Sequence, residues 1–381
     1  MEKIFSQGTG SYQRLAVPTG AIVGYVGLDD RFAPWWWQNN DPSSGVVEVG
    51  GGVVQAMAST GEYANNSPWQ SVRLQVQRIV FTDPGTVGSF NLTSLFRNLP
   101  NLVEIQHIDY INLADTRWLS NIFRDAVSLA RIGGLENWDT SAVQRFTGMF
   151  RGTSFTVLNL SSFDTRSITR FDSMFRDMHN LERIIGMETF DTNSATTLGN
   201  MFRGASAIVS LDLSRWNTSR VASGEGFASA FQDMTSLRSL NLAGWDTRQA
   251  SAAQLANMFA GDTALRVLTL GENWSVASGG VGPNLPAVPS AAPYIGTWQN
   301  VAGGTVNNPR GTLFYTSPEL MTASNAARNT WVWAREASAP AARPPGGFAT
   351  PMRRASSTTD ALLCLCIVSL LACCTSTKRC R

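Results

Sequence analysis

The chain of 381 residues contains no cysteine before Cys364, and all five of its cysteines fall between Cys364 and Cys380. Neither a disulfide framework nor a cysteine-based metal site can therefore hold the body of the protein. Histidine is almost as scarce. His107 and His179 are the only two, each without a cysteine or a second histidine near it to complete a metal pair, so no metal and no cofactor are expected. Charge is thin, at 15% of residues with a formal net charge of +2, which excludes a wholesale nucleic-acid binder. No G-x-S-x-G or Walker-type sequence occurs, and no enzyme activity is expected. The segment Met1 to Gly20 has no apolar core of the kind a secretory leader carries, so export would imply a recorded start that is internal or truncated. The longest apolar run, Ala361 to Cys374, is short of the roughly 20 residues that a membrane-spanning helix needs.

What the chain does have is periodicity. A Phe in similar surroundings stands at 96, 123, 150, 175, 202, 231 and 259, in steps of 27, 27, 25, 27, 29 and 28 residues. An aromatic followed by Asp or Asn and then Thr precedes most of them: Trp138-Asp139-Thr140, Phe163-Asp164-Thr165, Phe190-Asp191-Thr192, Trp216-Asn217-Thr218 and Trp245-Asp246-Thr247. Self-similarity at this period is the mark of a solenoid, in which each unit buries its apolar side only against its neighbours.

Within a unit, Leu-x-Leu triplets such as Leu158-Asn159-Leu160 predict one short strand. The Asp-Thr pair is the chemistry of a helix N-cap. Apolar positions at Val143, Phe146, Met149 and Phe150, repeated at Ile168, Phe171, Met174 and Phe175, then predict a helix of two to three turns. The fold class expected is an α/β repeat solenoid of leucine-rich-repeat-like coils, each with one short strand and one short helix. The boundaries read as an irregular segment over 1–34, a β-rich cap over 35–95, the solenoid over 96–274 and a C-terminal capping block over 275–335. A disordered linker and a tail with an apolar run and basic end complete the chain over 336–381. The half-buried strand expected from alternation covers Arg73 to Phe81. Trp35-Trp36-Trp37 is either a cover for the first coil or a platform for sugar rings.

Two rows of residues outside the core are candidate sites. Four positions before each repeat aromatic stand His107, Gly134, Asn159, Gly186, Asp212 and Asn241. On a short parallel strand they would stack at about 4.8 Å per coil as a shallow polar strip, with His107, Asn159, Asp212 and Asn241 offering side chains to a peptide or sugar. The bland reading is that Asn and Gly simply suit tight coils. Directly after each Phe come Arg97, Arg124, Arg151, Arg176 and Arg203. At a helix C-terminus these would be favoured by the helix dipole and by nearby Asp125, Asp177 and Asp233. Stacked, they would form an edge for an anionic wall polymer.

The units running from Glu136 to Val143 and from Leu211 to Ser219, each leading towards a Met-Phe or Ala-Phe pair, resemble the BspA-type bacterial surface-protein repeat. Ser67-Pro68-Trp69 with Arg78 to Phe81 is similar to the segment that usually precedes such repeats. Gly296 to Val301, Gly304 to Thr312, Thr316 to Met321 and Thr330 to Trp333 are similar to the block that often follows. The resemblance covers roughly residues 35 to 335. It departs at Ile111-Asn112-Leu113, where an aromatic-Asp-Thr unit is expected, in the leader and in the Cys-rich tail. It implies a leucine-rich-repeat-type solenoid at the cell surface or secreted, with an extracellular protein or glycan as ligand and no enzyme activity. The alternatives are a structural wall spacer without a ligand and an intracellular interaction scaffold. Attachment to membrane or wall through the tail (Lys378, Arg379 and Arg381 after the apolar run) is left open, because no LPxTG-type motif precedes it.

Overall fold

The computed structural model describes residues 24–26, 32–55, 67–277, 279, 281–323 and 326–336. The 337–381 linker and tail lie outside the described residues, as do most of the first 31. Among the described residues no helix is long and apolar enough to cross a membrane.

The core is a column of aromatic rings. Trp69 stacks on Phe96 at 5.6 Å, and the column runs on through Phe123, Phe150, Phe175, Phe202, Phe231 and Phe259 to Trp274. Every centroid spacing lies between 5.4 and 6.2 Å. One Phe belongs to each repeat, so seven repeat coils are defined, coil 1 by Phe96 and coil 7 by Phe259, and a further turn through Val267–Leu270 leads to Trp274. A tryptophan closes each end of the column. Met149, Met174, Met201 and Met258, each beside its Phe, are also buried. Sealing so much apolar surface is what holds the coils together, at roughly 25 cal/mol per Å².

The described residues of the coils carry no α-helix, only short 3-10 turns. The single α-helix among the described residues is Ser317–Thr322, in the C-terminal block. Where helices were expected, the backbone alternates. In coil 3 the N–H groups of Phe146, Gly148, Phe150 and Gly152 donate to the carbonyls of Arg170, Asp172, Met174 and Arg176 in coil 4. Met149 and Arg151 instead close local turns onto Phe146 and Gly148. This geometry needs a left-handed residue two before and two after each Phe. All fourteen such positions have positive φ: Ser94 and Asn98, Asn121 and Asp125, Gly148 and Gly152, Ser173 and Asp177, Asn200 and Gly204, Ser229 and Asp233, and Asn257 and Gly261. Only Gly, Asn, Asp and Ser occupy them, the residues with the least to lose there. An α-helix tolerates no such run of left-handed residues, which is why the 3-and-4 apolar spacing folds as stacked turns. The result is a β-solenoid of about eight turns.

The Asp-Thr pairs do not cap helices either. The carboxylates of Asp139, Asp164, Asp191 and Asp246, and the Asn217 amide oxygen, each accept from the backbone N–H two residues on. That arrangement turns the corner locally. The buried Thr that follows stitches coil to coil: Thr140, Thr165, Thr192, Thr218 and Thr247 donate to a carbonyl of the next coil at 2.6 to 3.0 Å.

Short parallel strands form the remaining face. Val46–Val49 pairs with Arg78–Phe81, which pairs with Glu104–Gln106 and that with Arg131–Ile132. Val157–Asn159 pairs with Arg183–Ile185, and Ser210–Asp212 with Ser239–Leu242 and then Val267–Leu270. The N-terminal strand is shorter than alternation suggested. Residues Gln70–Val72 form a 3-10 turn and Leu74 is 59% exposed, so the strand is confined to Arg78–Phe81. The strand Pro34–Trp37 pairs antiparallel with Val46–Val49. Its three tryptophans are all at most 8% exposed, and no ring face is left for a sugar. At the other end Thr330–Arg335 pairs antiparallel with Val267–Leu270 and carries Tyr294–Asn300 on its far side.

Candidate functional site

The strand face is not one sheet. Ladders join the strands of coils 2 and 3, of coils 4 and 5, and of coils 6 and 7. Among the described residues none joins Arg131–Ile132 to Val157–Asn159 or Arg183–Ile185 to Ser210–Asp212. The cause is a difference of one residue between two kinds of coil. From the core residue of the strand to the repeat aromatic, the short coils count five steps: Leu158 to Phe163, Leu211 to Trp216 and Leu240 to Trp245. The long coils count six: Ile105 to Ile111, Ile132 to Trp138 and Ile184 to Phe190. A long coil takes its extra residue in the left-handed region, at His107, Gly134 or Gly186, and continues into a 3-10 turn. A short coil turns instead on Asn159, Asp212 or Asn241, whose side-chain oxygens accept from the N–H two residues on at 2.9 to 3.1 Å. The ladder fails at both places where a long coil is followed by a short one, and holds at every other junction.

The polar strip expected at one position per coil is therefore not a column. Asn159 lies in register with Ile185, one residue before Gly186. Both interruptions cross the strip as well. Asn159 and Asp212 are exposed and Asn241 is half-buried, but their acceptor oxygens already serve their own turns. The Ser214 hydroxyl and backbone N–H hold the Asp212 carboxyl below the usual carboxylate range. His107 is exposed and stacks on Tyr110 at 4.9 Å. Gly186 is enclosed, with the Ser161 backbone where a Cβ would sit, 2.5 Å from its Cα.

The second interruption opens a cleft of about 410 Å³. Arg183, Ile184 and Glu188 line one wall, and Ser210, Leu211 and Asp212 the other. Behind it the coils stay clamped. Phe190 stacks on Trp216 at 6.2 Å, the Trp216 indole N–H donates to the Met187 carbonyl at 3.3 Å, and Thr192 donates to the Asn217 carbonyl at 3.0 Å. The opening is thus confined to the strand face. Arg183 and Ile185 turn their backbone groups to coil 4, with the Arg183 N–H donating to the Thr156 carbonyl and Leu160 donating to Ile185. Strand alternation then puts the backbone groups of Ile184 on the opposite edge, facing the cleft.

The arginines sit elsewhere. With no helix there is no helix dipole to place them, and Arg97, Arg124, Arg151, Arg176 and Arg203 lie on the turn region one coil apart. Their guanidiniums are half-buried, with side chains 17% exposed at Arg124 and 24% at Arg176. The Arg124 Nε lies 3.2 Å from Asp125, and Arg151 and Arg176 share Asp177 at 3.3 Å each. Burial, and then repulsion from Arg151, lowers the pKa of both Arg124 and Arg176. Asp233, the third carboxylate considered, lies two coils beyond the Asp177 that serves the row. Of the two expected causes, the Asp partners are present at Asp125 and Asp177, and the helix dipole is not. No group of three or more potential metal ligands occurs among the described residues.

The family model described as "Mycoplasma protein of unknown function, DUF285" matches residues 90–187 and 152–274, the stretch that holds the Phe column. The repeats are of the BspA-like type. The flanks of this BspA-like solenoid, the tryptophan strand and the Tyr294–Arg335 block, lie outside the matched residues. Among solved structures, a leucine-rich repeat protein from Eubacterium ventriosum is similar at 14% identity, over 63% of this chain and 83% of that one, with a TM-score of 0.27. No curated protein matches the sequence.

Proposed function

We propose that this BspA-like chain is a cell-surface binding solenoid without enzyme activity, which holds an extended segment of a partner protein against its strand face between coils 5 and 6. The observation that supports this reading is the interrupted ladder between Arg183–Ile185 and Ser210–Asp212. A strand edge with unspent backbone groups pairs readily with an added strand, and Arg183, Glu188 and Asp212 around it offer charge of both signs. Selecting a displayed peptide library on the full chain tests it. Enriched peptides should lose binding on Ser210→Trp, which fills the cleft from an exposed position, and keep it on Ser219→Trp, which lies away from it. No enrichment, or indifference to Ser210→Trp, would reject the site. Protease shaving of intact cells tests the location, and release of the repeats is the expected result. Joint replacement of Asn159, Asp212 and Asn241 by Ala tests the rest of the strand face.

A second reading rests on the arginine row, in which Arg124 pairs with Asp125 and Arg151 and Arg176 share Asp177. Like charges held at coil spacing favour an anionic wall polymer as a counterpart. Retention on a sulfated-polymer resin should fall with salt and vanish when Arg124, Arg151 and Arg176 become Gln. Retention that survives either change overturns it.

A further inference from the structure

A second cavity, of about 430 Å³, lies where the last coils meet the C-terminal block. It is assembled from parts far apart in sequence. Arg238 precedes the strand Ser239–Leu242, and Arg266 the strand Val267–Leu270. Trp333 and Arg335 come from the strand Thr330–Arg335, and Tyr294 opens the strand Tyr294–Asn300 beside it. Two backbone bonds fix the register. The Arg266 N–H donates to the Arg238 carbonyl at 3.1 Å, and the Trp333 N–H to the Arg266 carbonyl at 3.3 Å. Tyr294 and Trp333 meet edge to face at 5.2 Å, and the Arg335 guanidinium lies 5.6 Å over the Tyr294 ring. Val306 and Asn307 complete the rim, and Val306 is 45% exposed.

The lining holds three arginines and no carboxylate. None of the three makes an ion pair among the described residues, in contrast to Arg124, Arg151 and Arg176 in the coils. Three cations around one hollow repel one another, and the chain spends no acid there to relieve it. Half-buried aromatic rings beside them supply flat apolar surface, and Ser239 and Asn307 supply neutral hydrogen-bonding groups. The volume is within the roughly 300–1,000 Å³ of small-ligand sites.

We propose that this cavity binds an anionic saccharide, a pyranose ring bearing carboxylate or sulfate. Its ring would lie against Trp333 and Tyr294 and its anion would be held by Arg238, Arg266 and Arg335. Guanidinium forks match the planar carboxylate and the sulfate oxygens, while the C–H face of a sugar suits an aromatic ring. A peptide of Asp or Glu would use the cations and leave the rings idle, so the saccharide is the occupant that engages both halves of the lining. This site is separate from the coil 5–6 cleft and does not depend on it.

Calorimetric titration of the full chain with sulfated lactose, a galacturonate trisaccharide, lactose and hexaglutamate decides the matter. One or both anionic sugars should bind about tenfold or more tightly than lactose and hexaglutamate. Sulfated lactose alone would assign a sulfate source, and the galacturonate alone a uronate source. Arg266→Gln and Trp333→Phe should each weaken the anionic sugar, the second with the packing kept. Val306→Glu adds a carboxylate at an exposed rim position and should abolish binding while leaving the melting temperature unchanged. Equal affinity for lactose, equal affinity for hexaglutamate, or full binding by Val306→Glu would each overturn the proposal.

Discussion

The Thr218 hydroxyl donates to the Asp246 carbonyl at 3.0 Å and accepts from the Asp246 N–H at 2.7 Å. One side chain thus satisfies both backbone polar groups of a residue in the next coil. Thr165 with Asp191 and Thr247 with Ser275 repeat it. Thr218 is 1% exposed, so water cannot take over its role. Thr218→Val keeps the shape and should destabilise the fold by about 1–3 kcal/mol, while Thr218→Ser should cost much less. Chemical denaturation of both variants checks this, and equal midpoints would refute the stitch.

Gly186 has φ of 95° and would place a Cβ 2.5 Å from the Ser161 Cα. Both the conformation and the backbone contact resist a side chain, so Gly186→Ala should lower stability by about 1–3 kcal/mol. Gly279 also has positive φ but meets nothing within 4 Å, and its Ala variant should lose less. The comparison of the two melting points separates contact from backbone strain.

Asp262 is 1% exposed, and one oxygen accepts from the Met234 N–H while the other has no partner. Burial pushes its carboxyl well above the ordinary 3.8, with Asp233 adding to the rise. Between the ordinary value and the raised one, the folded chain holds a proton that the unfolded chain has released. That residue's contribution to stability declines as pH rises from about the ordinary value through the raised one. Asp262→Asn should raise the melting temperature at neutral pH, by about 1–3 kcal/mol in stability, with the gain shrinking towards pH 4. A gain that grows on acidification would contradict this assignment.

Amide exchange reports the interruption directly. The N–H groups of Phe123, Phe150 and Phe175 are buried and donate to the next coil, and should be among the slowest. The Ile184 amide, although in a strand, faces the cleft and should exchange far faster than the Leu240 amide in an uninterrupted ladder. Equal protection of the two would mean that the ladder is closed in solution.

The repeat, its core aromatics and its Met-Phe pairs were legible because burial imposes them once per coil. The helix was misread because Val143, Phe146, Met149 and Phe150 fit a 3.6 period, whereas Gly148 and Gly152 argue against one. Taken over seven copies, Gly, Asn, Asp or Ser two before and two after each Phe was the available signal. The interrupted strand face was also written in the chain, as the five steps from Leu158 to Phe163 against six from Ile184 to Phe190. Aligning the copies on the aromatic alone concealed it. The arginine cavity at Arg238, Arg266 and Arg335 was not legible, since only the pairing of Thr330–Arg335 with Val267–Leu270 brings its halves together.

The pairing rule of long and short coils makes the cleft a matter of word order. Gene duplication or loss in units of whole repeats would leave every coil intact and yet move, multiply or erase the opening. A gene encoding the same seven units in another sequence would specify an equally well-packed protein with its strand-face opening at a different height.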